Sequence, residues 1–362
     1  MSRQHPLPTA SERATPPLAD PKREPAGLPA LVPSAEITAR DRVTAMADPG
    51  TEITYAFAAF LAAILPGNLQ REAAAEAAGR AARSLRAYYR PDRAGTLYRE
   101  DFMLAGSLSR RCAVKPLKDG PDPAVDLFYQ LPSRCCPASA MEALTDVAKA
   151  LRLSGHADAV PVLGVPAIRL RVGPLVVLVR PAREDGGVLS IPGHGDGPFP
   201  VWIRTDPVAE AAAMRTLSHA HAERPRMLVA ILKAWRDHCG VPVPGFALEV
   251  MVRAFYRDVS RPTDRPEDPA VLVETFMAWA RNATPCTFAL PGGGRNLFID
   301  GDWHPYAETA YWRAVRARGL LRDGDVGAAS EEWQAILGGR FPKLATTVSL
   351  ERDEAKDLAA TA

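Results

Sequence analysis

The segment PLVVLVRPA at residues 174–182 constrains the fold of this chain more than any other part of it. Its run of β-branched and aliphatic residues is typical of a buried strand that lies at the centre of a sheet. Strand-like patterns also occur in PAIRLRV at 166–172 and in AVDLFYQL at 124–131. A central buried strand needs neighbouring strands and helices that cover the sheet, so the sequence predicts an α/β arrangement around this segment.

Helical patterns surround these strands and dominate the rest of the chain. From Ile53 to Leu65 the apolar residues recur on one helical face, and Pro66 ends the run. Asn68 stands where an N-cap is expected, before an Ala- and Glu-rich helix that reaches about Tyr89. After the glycine-rich segment GHGDG the pattern turns helical and stays so. The remaining predicted helices span about 140–152, 207–222, 226–238, 246–256, 269–282, 305–321 and 326–337.

The order of these patterns predicts the fold class and the domain organisation. The fold class is α+β, with a mixed sheet followed by a helical half. Residues 1–50 are rich in Pro, Ala, Ser and charge, which predicts a disordered tail. Residues 51–205 form the half that contains the sheet, residues 206–345 form a helical domain, and residues 346–362 form a polar tail.

The composition is that of an ordinary globular protein, with 47% hydrophobic and 24% charged residues. The net charge of +2 gives no global case for nucleic-acid binding. The five cysteines are odd in number and include no CxxC pair, which argues against a secreted disulfide framework. We find neither a signal-peptide pattern nor an apolar run long enough to span a bilayer, so we expect a cytoplasmic protein without membrane attachment.

Short motifs with chemical potential follow one another along the chain. Gly106 and Ser107 precede Asp126 in the segment GSLSRRCAVKPLKDGPDPAVDLFYQL, and LVRPA follows at 178–182. A Gly-Ser pair by itself predicts only a turn, so its weight depends on the motifs around it. Further along stand WIRTDP at 202–207, ILKAWRDH at 231–238, GFALEVMV at 245–252 and EEWQAILGGRFP at 331–342.

These motifs and their order give the chain a family likeness. It resembles the bacterial cGAS/DncV-like nucleotidyltransferases over roughly residues 52–343. Such enzymes make cyclic oligonucleotides from nucleoside triphosphates (NTPs) as second messengers in anti-phage defence. The resemblance implies a polymerase β-like nucleotidyltransferase core at 51–205, Mg²⁺ as cofactor and NTPs as ligands. It also implies a regulatory or effector protein of a defence operon as a partner.

The resemblance implies roles for four residues. Nucleotidyl transfer uses two Mg²⁺ ions about 3.5–4 Å apart, which activate the attacking hydroxyl and stabilise the leaving pyrophosphate. Asp126 would be a metal ligand and the catalytic carboxylate. Gly106 and Ser107 would bind the triphosphate through backbone N–H groups and a hydroxyl. Lys233, on a predicted helix, would contact the phosphates.

The metal site expected from the resemblance is depleted in this sequence. The family pattern places two Asp at positions i and i+2 of one strand, where they share a face, and a third carboxylate on an adjacent strand. Here Ala124 occupies position i, and the third position falls at Leu178, or at Val177 if the register slips by one. Of the three carboxylates, only Asp126 remains.

Another acid could compensate for this loss. Asp122 lies four residues before Asp126, about 13 Å away along an extended strand, which is too far for a shared pair of ions. Pro123 could shorten that distance by bending the chain, and Asp119 lies in the preceding turn. One weakly bound Mg²⁺ with a bound nucleotide stays open, because Mg²⁺ often binds through one or two carboxylates plus substrate phosphates. Efficient two-ion catalysis is not expected.

Other features have both a structural and a functional interpretation. The basic cluster of Arg110, Arg111, Lys115 and Lys118 is either a solvated edge or an attractor of triphosphate or nucleic acid. Structural roles are favoured for His194, His219, His221, Trp202, Trp235, Trp333 and the segment 291–294. Glu249 and Asp206 match family positions with no role preferred.

Three functions are compatible with these residues. Ala124 and Leu178 favour a relative with impaired or absent catalysis that binds NTP or a partner and acts as a regulator. The alternative is an active Mg²⁺-dependent synthase of cyclic di- or oligonucleotides. A nucleotidyltransferase acting on a tRNA end or an antibiotic would share the Gly-Ser turn, but the motif EEWQAILGGRFP argues against it.

Overall fold

The structure is a computed structural model that describes residues 49–93, 101–117, 124–162, 164–195, 197–259, 268–283, 286–293 and 296–345. Apart from residues 49 and 50, the two predicted tails lie outside these ranges. Predictions for the following residues also fall outside them: Lys118, Asp119, Asp122, Pro123 and Gly294.

A seven-stranded mixed sheet dominates the first half of the described chain. Its strands are β1 (Phe102–Leu104), β2 (Val125–Gln130), β3 (Val160–Val162), β4 (Ala167–Val172), β5 (Leu175–Asp185), β6 (Val188–His194) and β7 (Pro200–Thr205). The strand order is β1-β2-β5-β4-β3, with β6 paired to the far end of β5 and β7 paired to β6. Strand β5 runs parallel to β2 and antiparallel to β4. The central position predicted for PLVVLVRPA and the α+β fold class are confirmed.

The helices lie close to the positions that the sequence predicts. They are α1 (Pro49–Ile64), α2 (Asn68–Tyr89), α3 (Gly106–Ser109), α4 (Ala140–Leu153), α5 (Pro207–Ala220), α6 (Arg224–Cys239), α7 (Gly245–Asp258), α8 (Pro269–Ala280), α9 (His304–Arg322) and α10 (Val326–Leu337). The predicted N-cap of α2 is wrong by one residue. Asn68 is the first helical residue and Gly67 is the N-cap, because the Gly67 N–H donates a 2.9 Å hydrogen bond to the Gln70 side chain.

The prediction of continuous helix after the glycine-rich segment is also wrong. Strand β7 pairs with β6 before α5 begins, and a hairpin of β8 (Cys286–Ala289) and β9 (Asn296–Ile299) lies between α8 and α9. Each hairpin strand has four residues, too few to show a clear alternation of apolar and polar side chains. Pro291–Gly293 forms a 3-10 turn in this hairpin.

The two faces of the sheet differ in what lies against them. The odd-numbered residues of β2 and the valines Val177 and Val179 of β5 pack against α2 and α4 in one hydrophobic cluster. Because side chains alternate along a strand, the residues between them point to the opposite face. That second face carries Asp126, Leu178 and Arg180, and it is the face on which the candidate site lies.

A second hydrophobic cluster joins α1 to the helices that follow the sheet. Phe57 of α1 meets Trp333 edge-to-face, with ring centroids 4.9 Å apart, and meets Phe341 at 5.0 Å. All three side chains are buried. The C-terminal motif EEWQAILGGRFP therefore closes the helical core against the first helix of the described chain. The domain boundary at 205/206 stays a prediction.

One helical stretch, Gly50–Tyr89, is long and apolar enough to cross a membrane by length and composition, contrary to the sequence expectation of no such run. The stretch contains a break, because α1 ends at Ile64 and α2 begins at Asn68. Phe57 and Ala77 within it are fully buried in the two hydrophobic clusters. Since a core helix meets the same criterion, the stretch is weak evidence for membrane insertion.

Candidate functional site

A cavity of about 390 Å³ lies between the second face of the sheet and helices α6 and α7. Its lining consists of Gly106, Ser107, Arg110, Val114, Pro116, Asp126, Lys233, Arg236, Asp237, Gly245, Phe246 and Glu249. The structure thus brings together Gly106, Ser107, Asp126 and Lys233, the residues for which the sequence predicts a common site. We call this cavity the cleft.

The Gly-Ser turn is built against the Asp126 carboxylate. Gly106 has a φ of +69°, which glycine adopts without strain. A Cβ atom at Gly106 would lie 2.7 Å from the Cγ atom of Asp126, closer than such atoms can approach. The Ala105 N–H donates a 2.9 Å hydrogen bond to the Asp126 carbonyl, which fixes the turn to β2. Only glycine satisfies both the backbone conformation and the space.

Lys233 is held in a buried ion-pair cluster at one side of the cleft. Its Nζ donates hydrogen bonds to Glu249 Oε1 at 2.8 Å and to the Cys112 carbonyl at 2.7 Å. The Arg110 Nε donates to Glu249 Oε2 at 2.6 Å from the other side. Lys233, Glu249 and Arg110 are all buried. Glu249 is thus shared by two cations, and Glu210, whose Oε2 atom lies 3.4 Å from Arg110 Nη1, supplies the second negative charge.

The titration of this cluster follows from its contacts. Burial alone would raise the pKa of Glu249, but Lys233 and Arg110 outweigh burial and hold the pKa below its ordinary value. Burial would lower the pKa of Arg110, and Glu249 outweighs it and raises that pKa. Glu249 and Arg110 are thus charged at neutral pH, and the cluster joins the end of α3 to α6 and α7 around the cleft.

Sequence reasoning missed Arg180, which forms an ion pair with Asp126. In the parallel pairing of β2 and β5, Asp126 lies beside Leu178 and Phe128 lies beside Arg180. The Arg180 guanidinium extends toward the start of β2 and pairs with the Oδ1 atom of Asp126, two residues before Phe128. The central carbon of the guanidinium lies 6.0 Å from the centre of the Phe128 ring. The spacing of two residues between Leu178 and Arg180 was the available signal, since such residues share a face.

Comparison with known proteins identifies solved structures that share this fold. No protein-family model and no curated protein matches the chain. Among solved structures, CdnC of E. coli MS115-1 with ATP superposes with a TM-score of 0.59 at 14% identity, covering 80% of this chain and 98% of that one. The chain has the fold of the cGAS/DncV-like nucleotidyltransferases (CD-NTases).

Two further CD-NTase structures agree with this assignment. The apo form of Vibrio cholerae DncV has a TM-score of 0.56 at 13% identity and covers 78% of this chain and 93% of its own. The Bradyrhizobium diazoefficiens CD-NTase CdnG with GTP has a TM-score of 0.58 at 13% identity, with 80% and 96% covered. The fold likeness therefore extends across both the sheet and the helical half.

The residues that the CD-NTase resemblance assigns to metal can now be placed. Leu178 is the β5 residue beside Asp126, whereas Val177 lies beside Val125 on the face covered by helices. The register therefore leaves Leu178 on the site face and removes the alternative at Val177. Ala124 lies two residues before Asp126, next to the start of β2. Neither Leu178 nor Ala124 has a side chain that can bind a metal.

The described residues do not fit a two-ion Mg²⁺ site. Among them, no group of three or more His, Cys, Asp or Glu residues is placed to hold a metal ion. Asp126 faces Arg180 through one carboxylate oxygen and the Gly106 turn through the other. A divalent ion about 4 Å from the guanidinium would meet a repulsion of about 4 kcal/mol per unit charge at an effective dielectric constant of 20.

The basic cluster of the sequence analysis is divided in the structure. Arg110 is buried in the pairing with Glu249, whereas Arg111 is exposed and Lys115 is half-buried. Arg236, which also lines the cleft, pairs with its neighbour Asp237 at 2.5 Å. The cluster is therefore not one continuous basic surface among the described residues.

No histidine or tryptophan candidate is among the described residues that line the cleft. Trp235 and Trp333 are buried in the helical cluster, and the half-buried Trp202 donates a 2.9 Å hydrogen bond to the Ala138 carbonyl. His221 packs against Tyr256, with ring centroids 4.7 Å apart. His219 is exposed, and His194 lies 3.3 Å from the Gly164 carbonyl.

Asp206 has a structural role at the start of α5. Its side chain accepts a 2.8 Å hydrogen bond from the Ala209 N–H and is the N-cap of that helix. A Cβ atom at Gly292, whose φ is +78°, would overlap with the Asp206 side chain. The close approach of these two residues explains why the turn before β9 contains glycine.

Proposed function

We propose that this chain is a CD-NTase-like protein of bacterial anti-phage signalling that binds an NTP in the cleft and has impaired or absent catalysis. The single observation that carries the proposal is the ion pair between Asp126 and Arg180 on a site face that lacks the other two carboxylates. The protein would act in the cytoplasm as a regulator or sensor rather than as a synthase.

Binding of NTP is supported by the parts of the cleft that are kept. Gly106 and Ser107 begin a helical turn at the cleft, where backbone N–H groups and a hydroxyl can contact phosphate. The cavity of about 390 Å³ falls within the size range of ligand pockets. The structures of CdnC with ATP and of CdnG with GTP come from proteins of the same fold.

Impaired catalysis is supported by the charges on the site face. Two-ion nucleotidyl transfer needs several carboxylates that hold both ions close together. Asp126 is the one carboxylate of the three family positions, and it is paired with a guanidinium. Lys233, the residue proposed to contact phosphate, is shared with Glu249 and so brings little uncompensated charge.

An active Mg²⁺-dependent synthase of cyclic di- or oligonucleotides is the second candidate. The observation that favours it is the Gly106 turn, which packs against Asp126 at the cleft, where the family resemblance expects the Gly-Ser pair to lie beside the catalytic carboxylate. In that case Asp122 or Asp119 would have to supply a further metal ligand, and a single Mg²⁺ would bind together with the NTP phosphates.

A protein partner is also part of the proposal. CdnC of E. coli MS115-1 has been solved in a complex named CdnC:HORMA-deltaN, and that structure has a TM-score of 0.59 with this chain at 13% identity. By analogy, we propose that a regulatory or effector protein of a defence operon binds this chain.

The experiment that tests the proposed function measures binding and turnover in the same preparation. The full-length protein is incubated with labelled ATP, GTP, CTP and UTP in the presence of Mg²⁺ or Mn²⁺. Bound nucleotide is measured by filter retention and cyclic products by chromatography. We expect bound NTP without cyclic product.

Two variants control this experiment. Asp126→Ala removes the remaining carboxylate, and Phe298→Ala changes an exposed side chain that is not part of the cleft lining. Abundant cyclic product from the wild type, lost in Asp126→Ala and kept in Phe298→Ala, would establish the synthase and overturn the proposal. Failure of every NTP to bind would overturn the binding role.

A further inference from the structure

Arginines lie around Asp126, where a metal site would have further carboxylates. Asp126 and Leu178 lie side by side in the β2–β5 register, and Arg169 of β4 lies directly opposite Leu178. Residues that are directly opposite in neighbouring strands share a face of the sheet. The position expected for the third carboxylate is therefore flanked by Arg169 on one side and by Arg180 two residues further along β5.

Burial and an aromatic contact hold the Arg180 side chain in place in addition to its ion pair with Asp126. Its side chain is 16% exposed and that of Asp126 is 21% exposed, so the pair is mostly withdrawn from water. The guanidinium also lies over the Phe128 ring, a favourable cation–π contact. On the next strand, Arg169 and Arg171 are both exposed on the same face. This face of the sheet therefore carries the three arginines Arg169, Arg171 and Arg180 on the two strands that follow Asp126 in the sheet order.

The rest of the cleft is close to electrically balanced. Glu249 and Glu210 together compensate Lys233 and Arg110, and Asp237 compensates Arg236. Among the described lining residues, Asp126 is then the one carboxylate that an incoming triphosphate would meet as net negative charge, and Arg180 cancels it. In a metal-dependent cleft, divalent ions cancel the carboxylates and the phosphates together. In this cleft the Arg180 guanidinium already neutralises the Asp126 carboxylate.

We propose that Arg180, which lies behind the cleft lining and pairs with Asp126, takes the place of the metal as the cation that neutralises this carboxylate, so that the protein binds the NTP as the free anion without a divalent ion. This inference rests on the proposed function, because it concerns how the same cleft holds its NTP. Arg180 acts through Asp126: it removes the repulsion between that carboxylate and the triphosphate. Arg180 is thus a positioning residue for the ligand.

The test is a fluorescence titration of the full-length protein with mant-ATP and mant-GTP, once in EDTA and once in Mg²⁺. We expect at least one probe to bind in EDTA, with an affinity that Mg²⁺ does not improve. In Arg180→Gln, the unmasked Asp126 should weaken binding in EDTA by about tenfold or more, the scale of one charge-assisted contact. Mg²⁺ should then restore part of the affinity, because it can neutralise the exposed carboxylate.

Two further variants separate this effect from misfolding. Arg183→Gln removes another β5 guanidinium, which lies over Trp202 and away from Asp126, and should bind the probes as the wild type does. Arg180→Lys keeps the positive charge and should retain binding in EDTA, even if Arg180→Gln fails to fold. Thermal melting reports the folding of each variant.

The outcomes distinguish this inference from the proposed function. Binding of the wild type that requires Mg²⁺ would overturn the role of Arg180 while leaving NTP binding intact. Equal binding in EDTA by the wild type and by folded Arg180→Gln would also overturn it. Absence of binding with and without Mg²⁺ would overturn both the inference and the binding role on which it rests.

Discussion

The Lys233 ammonium lies 2.8 Å from Glu249 Oε1, on the neighbouring helix α7, although the family resemblance assigns Lys233 to the phosphates. Both side chains are buried, and Glu249 also accepts from Arg110. The carboxylate therefore ties the Gly-Ser turn, α6 and α7 to one another. Lys233 is part of the framework of the cleft before any ligand is present.

Removing the shared carboxylate should destabilise the protein strongly. Glu249→Gln removes the carboxylate that pairs with Lys233 and leaves Arg110 with Glu210 alone, and breaking a buried pair in this way costs about 3–5 kcal/mol. The matched control is Glu331→Gln, because Glu331 pairs with Lys343 on the exposed surface and such pairs contribute about 0–1 kcal/mol. Urea unfolding of both variants measures the difference. Equal losses would show that the buried cluster contributes no more than a surface pair.

The contribution of Glu249 should depend on pH in a defined direction. Its pKa in the folded protein is held below the ordinary value of 4.5, so the folded state favours the ionised form more than the unfolded state does. The stability difference between the wild type and Glu249→Gln should be constant near neutral pH. It should shrink as the pH falls below about 4.5 and vanish below the lowered pKa. Unfolding free energies across acidic pH check this, and a difference that grows on acidification would contradict it.

Gly106→Ala should damage the cleft through two separate effects. The positive φ costs a residue with a Cβ atom about 1–2 kcal/mol, and forced overlap with Asp126 costs about 1–3 kcal/mol more. Gly155→Ala is the matched control, since its φ is +95° and a Cβ there meets no atom within 4 Å. Melting curves should show the larger loss for Gly106→Ala, and only this variant should lose NTP affinity. Equal loss in both variants would mean that the packing against Asp126 is irrelevant.

The C-terminal motif should be essential for the helical core. Phe341 is fully buried between Phe57 and Phe60, and truncation of such a residue to alanine costs about 3–5 kcal/mol. Phe298→Ala, at a side chain that is 64% exposed, should change stability by about 0.5 kcal/mol or less. Denaturant unfolding of the two variants tests this. A small effect of Phe341→Ala would place the end of the chain outside the cooperative core.

The sequence predicted those parts of the fold in which a local pattern reflects burial. PLVVLVRPA is apolar because β5 is covered by α2 and α4 on one face and lies between β2 and β4. The long helices repeat their apolar residues over several turns. Short elements such as β8 and β9 escaped prediction, because four residues carry too little periodicity and their pairing is decided by residues far along the chain.

The candidate site was predictable only in part, for a similar reason. Gly106, Ser107, Asp126 and Lys233 were placed together because the family motifs carry their spatial relationship. The sequence did not predict which charged side chains pair with one another. The contacts of Arg180 with Asp126 and of Glu249 with Lys233 depend on strand register and helix packing, which no local pattern encodes.

We propose that this chain keeps the cleft of the CD-NTase fold and has lost nucleotidyl-transfer chemistry through Ala124, Leu178 and Arg180. Restoring carboxylates alone should not suffice, because an acid at position 178 would lie between Arg169 and Arg180. The most direct measurement therefore compares cyclic product from labelled NTPs with Mn²⁺ in three proteins. These are the wild type, Ala124→Asp with Leu178→Asp, and the same pair with Arg180→Val.

We predict no product from the wild type, little or none from the double variant, and product from the triple variant that a further Asp126→Ala change abolishes. Abundant cyclic product from the wild type, lost on Asp126→Ala alone, would show that the native site is an active synthase.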